Sequence, residues 1–369
     1  MRVLHVEAGR HLYGGPQQVL QLVRGLTACN VDSPLVAPPG STLAMAAAEA
    51  GVAVHPLPMR GEVDPGLWLR LTRLIRRLQP DLVHLHSRRG ADLWGALAAR
   101  RAGIPAVLSR RVDNPEAAWL ARRKYRLYAH VIAISEAIRQ VLLAEGVPPD
   151  QVTCVPSAIE LLETPPPCDG ERLQGLLGRS PQGPLIGVAA QLIGRKGHGY
   201  LLEAMVEVVR AHPSVHLVCF GQGPLEAKLR RQIERLGLAR HVTLVGFRAD
   251  LDRLLPCLDL LVHPATMEGL GVVLLQAAAA GVPAVASRAG GIPELIEHGL
   301  NGLLVAPGDV QGLADAIKAL IGDPERRRQM GKAGRERVAS RFSVDAMVAG
   351  NLAVYRKVLA AADEALCER

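Results

Sequence analysis

The chain has 369 residues, of which 49% are hydrophobic and 3% aromatic, and it carries 43 Lys and Arg against 35 Asp and Glu. That length and apolar content suit a soluble protein of two globular domains rather than one. No apolar run reaches the roughly 18 residues of a spanning helix, and the opening "MRVLHVEAGR" lacks the long apolar core of a signal peptide, so a cytoplasmic protein is expected.

Short apolar segments separated by helix-length stretches begin at once: "RVLHVE" (2–7), "SPLVA" (33–37), "VAVHPL" (52–57), "DLVHLH" (81–86), "PAVLS" (105–109) and "HVIAIS" (130–135). This is the rhythm of a parallel sheet covered by helices on both faces. Residues 1–158 also hold 19 Lys and Arg against 12 Asp and Glu, which is +7 of the total +8. The cations come in clusters: Arg70, Arg73, Arg76 and Arg77 on one predicted helix, then Arg88–Arg89, Arg100–Arg101, Arg110–Arg111 and "ARRKYR" at 121–126. Any one cluster could be a solvated helix face. Their confinement to one half points to an anionic partner, either membrane headgroups or an acidic acceptor.

The segment 159–183 is rich in Pro and Gly and reads as a linker with a short helix. The strand rhythm then returns with "PLIGVAAQ" (184–191), "VHLVCFG" (215–221), "HVTLVG" (241–246), "LDLLVHP" (258–264), "PAVAS" (283–287) and "NGLLVAP" (301–307). The expected organisation is therefore α/β, with two doubly wound Rossmann-like domains at 1–158 and 184–344. A terminal helix at about 345–369 would bury its apolar stripe on the first domain. The six cysteines (Cys29, Cys154, Cys168, Cys219, Cys257 and Cys367) form no Cys-x-x-Cys pair, which argues against a structural zinc and a disulfide framework and for reduced thiols.

In open parallel sheets ligands lie beyond the carboxyl ends of the strands. Three such points are glycine-rich: Gly14–Gly15 in "YGGPQQV", Gly221 and Gly223 in "FGQGPLE", and Gly290–Gly291 in "RAGGIPELI". Each is a candidate phosphate or carboxylate seat, because glycine admits a close ligand and a helix N-terminus offers amide donors. Each could equally be a plain strand-to-helix turn. Arg195 and Lys196 fall in a glycine-flanked loop after a strand, where two adjacent cations would neutralise a diphosphate. A solvated basic loop is the alternative. In "MEGLGVVLLQAAAAGVPAVAS", Glu268 follows a strand, Gly269 and Gly271 precede a helix, and Gln276 falls in its early turns. A carboxylate there can accept hydrogen bonds from sugar hydroxyls, or act only as a helix-start acid.

Together, "RVLHVEAGRHLYGGPQQV", "DLVHLHS", "HVIAISEAI", "RKGHGYLLEA", "FGQGPLEAKL", "HPATMEGLGVVLLQAAAAGVPAVAS" and "GGIPELIEHGLNGLLVAPGD" resemble the family-4 retaining glycosyltransferases of GT-B fold over nearly the whole chain. "SRRVD" is similar to the lipopolysaccharide-core branch. The resemblance implies two domains facing across a cleft, a nucleotide-diphosphate sugar held mostly by the second domain and an acceptor held by the first. It implies that Glu268 meets donor-sugar hydroxyls, that Gln276 stands where a second Glu usually meets the ribose, and that Lys196 contacts the diphosphate. Backbone near Phe247 would face the base, while Gly14, Gly15, Gly290 and Gly291 would line the phosphate or sugar pocket. The sequence departs from the family in three places. The usual Gly-Arg is Ala190–Gln191, the second acid is Gln276, and Arg111 stands where a first-domain His is expected.

No cofactor or metal is implied. The Asp250–Asp252 pair mimics a metal-binding Asp-x-Asp but sits where the family has a loop and helix. The expectation is a cytoplasmic enzyme, peripheral on the inner face of the plasma membrane, transferring a sugar to a saccharide or lipid-linked acceptor in lipopolysaccharide-core or other cell-surface glycan synthesis. Nucleic acid is not an expected partner. The rivals are a sugar-nucleotide epimerase of the same fold and a non-catalytic nucleotide-sugar-binding protein, which the departures at Gln191, Gln276 and Arg111 would favour.

Overall fold

A computed structural model describes residues 1–87 and 90–367. The arginine pair at 88 and 89 therefore lies outside the described residues. The chain divides into two compact units, Met1–Ala158 with Val344–Arg369, and Ile159–Ser343.

Among the described residues, unit 1 holds seven parallel strands: β1 (Val3–Val6), β2 (Leu35–Ala37), β3 (Val54–Pro56), β4 (Leu82–Leu85), β5 (Ala106–Arg110), β6 (His130–Ala133) and β7 (Val152–Cys154). Their order across the sheet is β3-β2-β1-β4-β5-β6-β7. β1, β4, β5 and β6 are buried along their whole length, so apolar runs rather than alternating patterns mark them. β7 is an addition that the sequence pattern does not suggest. The helix Val344–Cys367 belongs to this unit, where Met347, Val348, Leu352, Tyr355 and Val358 join Val3, Leu22, Leu26, Leu82 and Ile132 in one core cluster.

Unit 2 holds six parallel strands: β8 (Leu185–Ala189), β9 (His216–Phe220), β10 (Val242–Gly246), β11 (Leu260–His263), β12 (Ala284–Ser287) and β13 (Gly302–Val305), in the order β10-β9-β8-β11-β12-β13. The core is built by Ile186, Val188, Leu217, Leu260 and Val262 of the sheet, packed with Leu201, Met205 and Val208 from the helix His198–Ala211 and with Ile317 and Leu320 from the helix Val310–Ile321. Residues 159–183 cluster with this unit. Asp169 accepts the Arg172 amide at 3.2 Å and opens the helix Gly170–Leu177, and Arg172 pairs with Asp250. Cys168 and Cys257 form a disulfide, against the expectation of reduced thiols. Spacing cannot reveal a pair separated by 89 residues that only the fold brings together.

The charge clusters of unit 1 are also partly internal. Arg110 is 1% exposed and bonds to Glu116 at 2.8 Å, while Lys124 reaches Asp92 at 2.8 Å and Glu116 at 3.2 Å. Arg70 is tied to Asp64 at 2.6 Å. Those cations hold the unit together. Arg73, Arg76, Arg77, Arg100, Arg101, Arg122, Arg123 and Arg126 remain on the surface.

His5 of β1 is in register with His84 of β4, and His86 follows that strand. The His5 Nδ1 to His86 Nε2 distance is 3.0 Å, and His84 bonds to Tyr355 Oη at 2.6 Å and Ser109 Oγ at 2.8 Å. The three rings offer nitrogens within 4.8 Å of one another, and His5 Nε2 is buried with no hydrogen-bond partner among the described residues. Burial holds all three neutral, with His5 pushed down to about 3.

An unfolded imidazole titrates near 6.5, so between pH 6.5 and 3 the unfolded chain binds more protons than the native one. The cluster's stabilisation is complete above pH 6.5 and is lost on acidification, by up to about 1.4 kcal/mol per pH unit for each such ring. Thermal melts between pH 7.5 and 5 should show a falling midpoint, and His5→Gln, which cannot titrate, should flatten the slope. A midpoint indifferent to pH in this range would contradict the assignment.

Candidate donor site

A doubly wound sheet has its ligand crevice where the strand order reverses. In unit 2 that point is between β8 and β11, which pair through Leu260–Ile186 and Leu261–Gly187. The loop leaving β8 carries Gln191, Arg195 and Lys196, and the loop leaving β11 carries Glu268. The two loops are stitched together. Thr266 N donates to Arg195 O at 2.9 Å, Arg195 Nη1 donates to Met267 O at 3.4 Å, and Lys196 Nζ forms an ion pair with Glu268 Oε2.

Gly197 makes this possible. Its φ is +73°, and a Cβ added there would lie 1.9 Å from the Pro264 carbonyl oxygen, so only glycine lets the two loops meet. Glu268 is tied from several sides: His263 Nε2 at 2.7 Å on Oε2, the Gly269 amide at 3.1 Å on Oε1, and the Gly291 amide at 3.2 Å on its backbone carbonyl. Burial pushes the carboxyl up, but the His263 hydrogen bond and the Lys196 charge outweigh it and hold the group well below the usual carboxylate range.

Around this pair the other expected residues fall into place unevenly. Gly271, at φ +94°, precedes the helix Val272–Ala279, and Gln276 is half-buried in its second turn. Gly290 takes φ +50° in the turn after β12, next to the amide of Gly291 that binds Glu268. Phe247 follows β10, on the sheet edge two strands from β8, and is 42% exposed. Gln191 is exposed. Gly221 and Gly223 have a packing explanation of their own, since a Cβ would sit 2.0 Å from Ala190 O and 2.6 Å from Leu192 O respectively. Arg195 spends its guanidinium on a backbone carbonyl beside the pair. Asp250, from the Asp-x-Asp look-alike, is engaged by Arg248 at 2.8 Å and by Arg172.

In unit 1 the reversal lies between β1 and β4. The helix Gly14–Ala28 starts there with no side-chain cap and no acid in its first turn, so its leading amides keep the positive end of the dipole. Arg111, after β5, lies alongside: its Cδ would be 3.8 Å from a Cβ on Gly15, and Nη2 is 3.5 Å from His86 Nδ1. Burial pulls its pKa down while the nearby Glu7 charge raises it. Unit 1 thus gathers Gly14, Gly15 and Arg111 separately from the residues of unit 2. His263, His86 and His5 are not marked by the motifs, because a histidine in or just after an apolar strand looks like core.

Two family descriptions match the chain, "Glycosyltransferase Family 4" over residues 13–161 and "Glycosyl transferases group 1" over 174–337. A GDP-mannose-dependent alpha-(1-6)-phosphatidylinositol monomannoside mannosyltransferase of Mycolicibacterium smegmatis is 30% identical over 290 residues, covering 74% of this chain and 75% of that one. The chain belongs to the GT-B glycosyltransferases. A 2-deoxystreptamine glucosyltransferase of Streptomyces kanamyceticus is 29% identical over 309 residues, covering 78% and 80%. In fold, this glycosyltransferase matches the crystal structure of Anabaena HepE in complex with UDP and glucose at a TM-score of 0.85, with 22% identity over 97% of this chain and 100% of that one. The apo form of the lipopolysaccharide outer core galactosyltransferase WaaB matches at 0.72, with 15% identity over 97% and 100%.

Gly197→Ala should separate strain from collision. Gly237 has a similar φ of +70° with open space around it, so Gly237→Ala measures backbone strain alone, about 1 kcal/mol. Gly197→Ala should cost at least about 2 kcal/mol more in thermal or denaturant unfolding, because the added methyl meets backbone. Equal losses in the two variants would show that the loops are not in contact.

Proposed function

We propose that this glycosyltransferase binds a nucleotide-diphosphate sugar at the β8/β11 crevice and transfers the sugar with retained anomeric configuration to a saccharide or lipid-linked acceptor. The observation that carries the reading is the meeting of Lys196 and Glu268, one cation for a diphosphate and one carboxylate for sugar hydroxyls, beside the Gly290–Gly291 turn. Phe247 on the sheet edge is assigned to the base and Gln276 to the ribose. Gly14, Gly15 and Arg111 are assigned to the anionic side of the substrates in unit 1.

The acceptor hydroxyl oxygen forms the new bond to the anomeric carbon as the bond to the diphosphate oxygen breaks. The acceptor proton passes to the departing diphosphate on the same face, leaving a glycoside and a nucleoside diphosphate. Lys196 and backbone amides meet the developing charge, in place before the reaction begins, so no metal ion is assigned a role.

The acceptor is assigned to the cytoplasmic face of a membrane, in cell-surface glycan assembly of the lipopolysaccharide-core kind. In support, the eight clustered surface arginines named above and the exposed Trp119 (74%) and Leu120 (47%) belong to unit 1, and one relative is named a phosphatidylinositol monomannoside mannosyltransferase. Among the described residues no helix is long and apolar enough to cross a membrane. Each surface cation near an anionic bilayer is worth about 1 kcal/mol, so binding to phosphatidylglycerol vesicles should be reversible and weaken steeply with salt. Binding that ignores salt would count against this placement.

The donor is found by a thermal-shift panel of UDP-glucose, GDP-mannose and ADP-glucose, since the true donor stabilises by mass action. Transfer is then followed by NMR of the product's anomeric centre. Conversion of the donor to another sugar nucleotide without acceptor would instead indicate an epimerase. Lys196→Ala should lower turnover at least about a hundredfold, on the order of 3 kcal/mol, with the fold intact. Near-normal turnover would remove the diphosphate assignment.

A further inference from the structure

β11 ends on His263, whose ring is 1% exposed and whose Nε2 shares one carboxylate oxygen of Glu268 with the Lys196 ammonium. The protons can be placed from these contacts. Glu268 is ionised and only accepts, so His263 carries its hydrogen on Nε2. Burial lowers the pKa of the ring more than Glu268 raises it, which keeps the ring neutral. Nδ1 is then a bare nitrogen, buried and without a hydrogen-bond partner among the described residues.

The two donors on that oxygen differ in what else they can do. Lys196 is a point charge on a flexible four-carbon stem, free to change partners. His263 is packed at a strand end and has no other place to go. If a diphosphate draws Lys196 away, His263 still donates to Glu268 Oε2. Without it, a carboxylate 14% exposed would lose both of these donors and shift toward its protonated form.

We propose that His263 is a positioning residue of the donor site, whose Nε2–H keeps the Glu268 carboxylate ionised and in one orientation while Lys196 serves the diphosphate. The proposal rests on the assignment of Glu268 and Lys196 to the donor given above. It adds a residue that the glycine, arginine and acid motifs do not include.

The test uses the full chain and the sugar nucleotide selected by the thermal-shift panel. His263→Gln retains an N–H at about the reach of Nε2 and cannot titrate; His263→Leu removes the donor and keeps the volume; Glu268→Ala runs in parallel. For His263→Leu, kcat/KM at pH 7.5 should fall about tenfold or more, and the acidic limb of the pH–rate profile should move up by about one pH unit or more. His263→Gln should keep the wild-type limb and lie within about threefold in rate. Nitrogen-15 NMR of the imidazoles in the unliganded protein should show His263 as the Nε2–H tautomer at pH 7.

Thermal midpoints identify a variant that fails to fold. Should His263→Leu do so, His263→Asn, whose amide is too short to reach Glu268, takes its place with the same expectation. An unmoved acidic limb in the donor-lacking variant, a His263→Gln as defective as it, or an Nδ1–H or charged ring would each overturn the proposal. A defective Glu268→Ala beside a normal His263→Leu overturns this inference alone. A normal Glu268→Ala overturns the donor-site reading and this inference with it.

Discussion

Lys196 and Glu268 are 72 residues apart, and their ion pair exists because β8 and β11 are neighbours at the point where the sheet order reverses. From β8 the chain winds to one edge through β9 and β10; from β11 it winds to the other through β12 and β13. The loops leaving these two strands are therefore the ones that diverge over the sheet's carboxyl edge, and the pair ties them back together. Withdrawing two charges from water costs several kcal/mol per ion and is returned only when further donors complete the site. His263 and the Gly269 amide do this for the carboxylate. The positive φ of Gly197, the Thr266–Arg195 bond and the Gly291 amide on the Glu268 carbonyl all follow from the same closure.

Unit 1 solves the corresponding problem with neutral rings. Arg111 has the imidazole of His86 rather than a carboxylate as its hydrogen-bond partner, and His86 leans on His5. An arginine only donates, so His86 Nδ1 accepts, and the hydrogen on Nε2 faces His5 Nδ1. Burial and the guanidinium both discourage protonation of the rings. The cluster can therefore sit under a cation without adding charge to it, and Tyr355 of the terminal helix closes it from the far side through His84. That helix matters to unit 1 for its apolar stripe and also for one hydroxyl.

The parallel architecture was legible because buried strands are continuous apolar runs, and twelve of them stand out between helix-length segments. β7 did not, since three residues, "VTC", carry no pattern. Lys196, Glu268 and the Gly290–Gly291 turn stood out because each follows a strand, and the fold brings them next to one another. His263 was hidden in "LDLLVHP", where a terminal histidine reads as core, and nothing in the sequence says which residue its nitrogen meets five positions on. Gly221 and Gly223 are less telling, because a Cβ on either would collide with the backbone of Ala190 or Leu192, and a glycine required by packing looks the same in sequence as one required by a ligand. Arg110 and Lys124 counted as surface charge although Glu116 and Asp92 hold them inside.

Gln191 and Gln276 stand where the resemblance leads one to expect a cation and an acid in unit 2, and two exchanges of opposite sign would nearly cancel. What remains beside the crevice is Arg195, turned to a backbone carbonyl, and the Lys196–Glu268 pair. A lone lysine half-sealed from water would be costly in the unliganded protein, and Glu268 neutralises it. Under the proposed donor assignment, a diphosphate would exchange one anionic partner of Lys196 for another, so the lysine would not be left buried without a counter-charge. The same exchange would free the carboxylate from its cation as the sugar hydroxyls come within reach, which is when an oriented acceptor is needed. In that reading the resting ion pair couples the diphosphate and sugar ends of one ligand through a single pair of side chains.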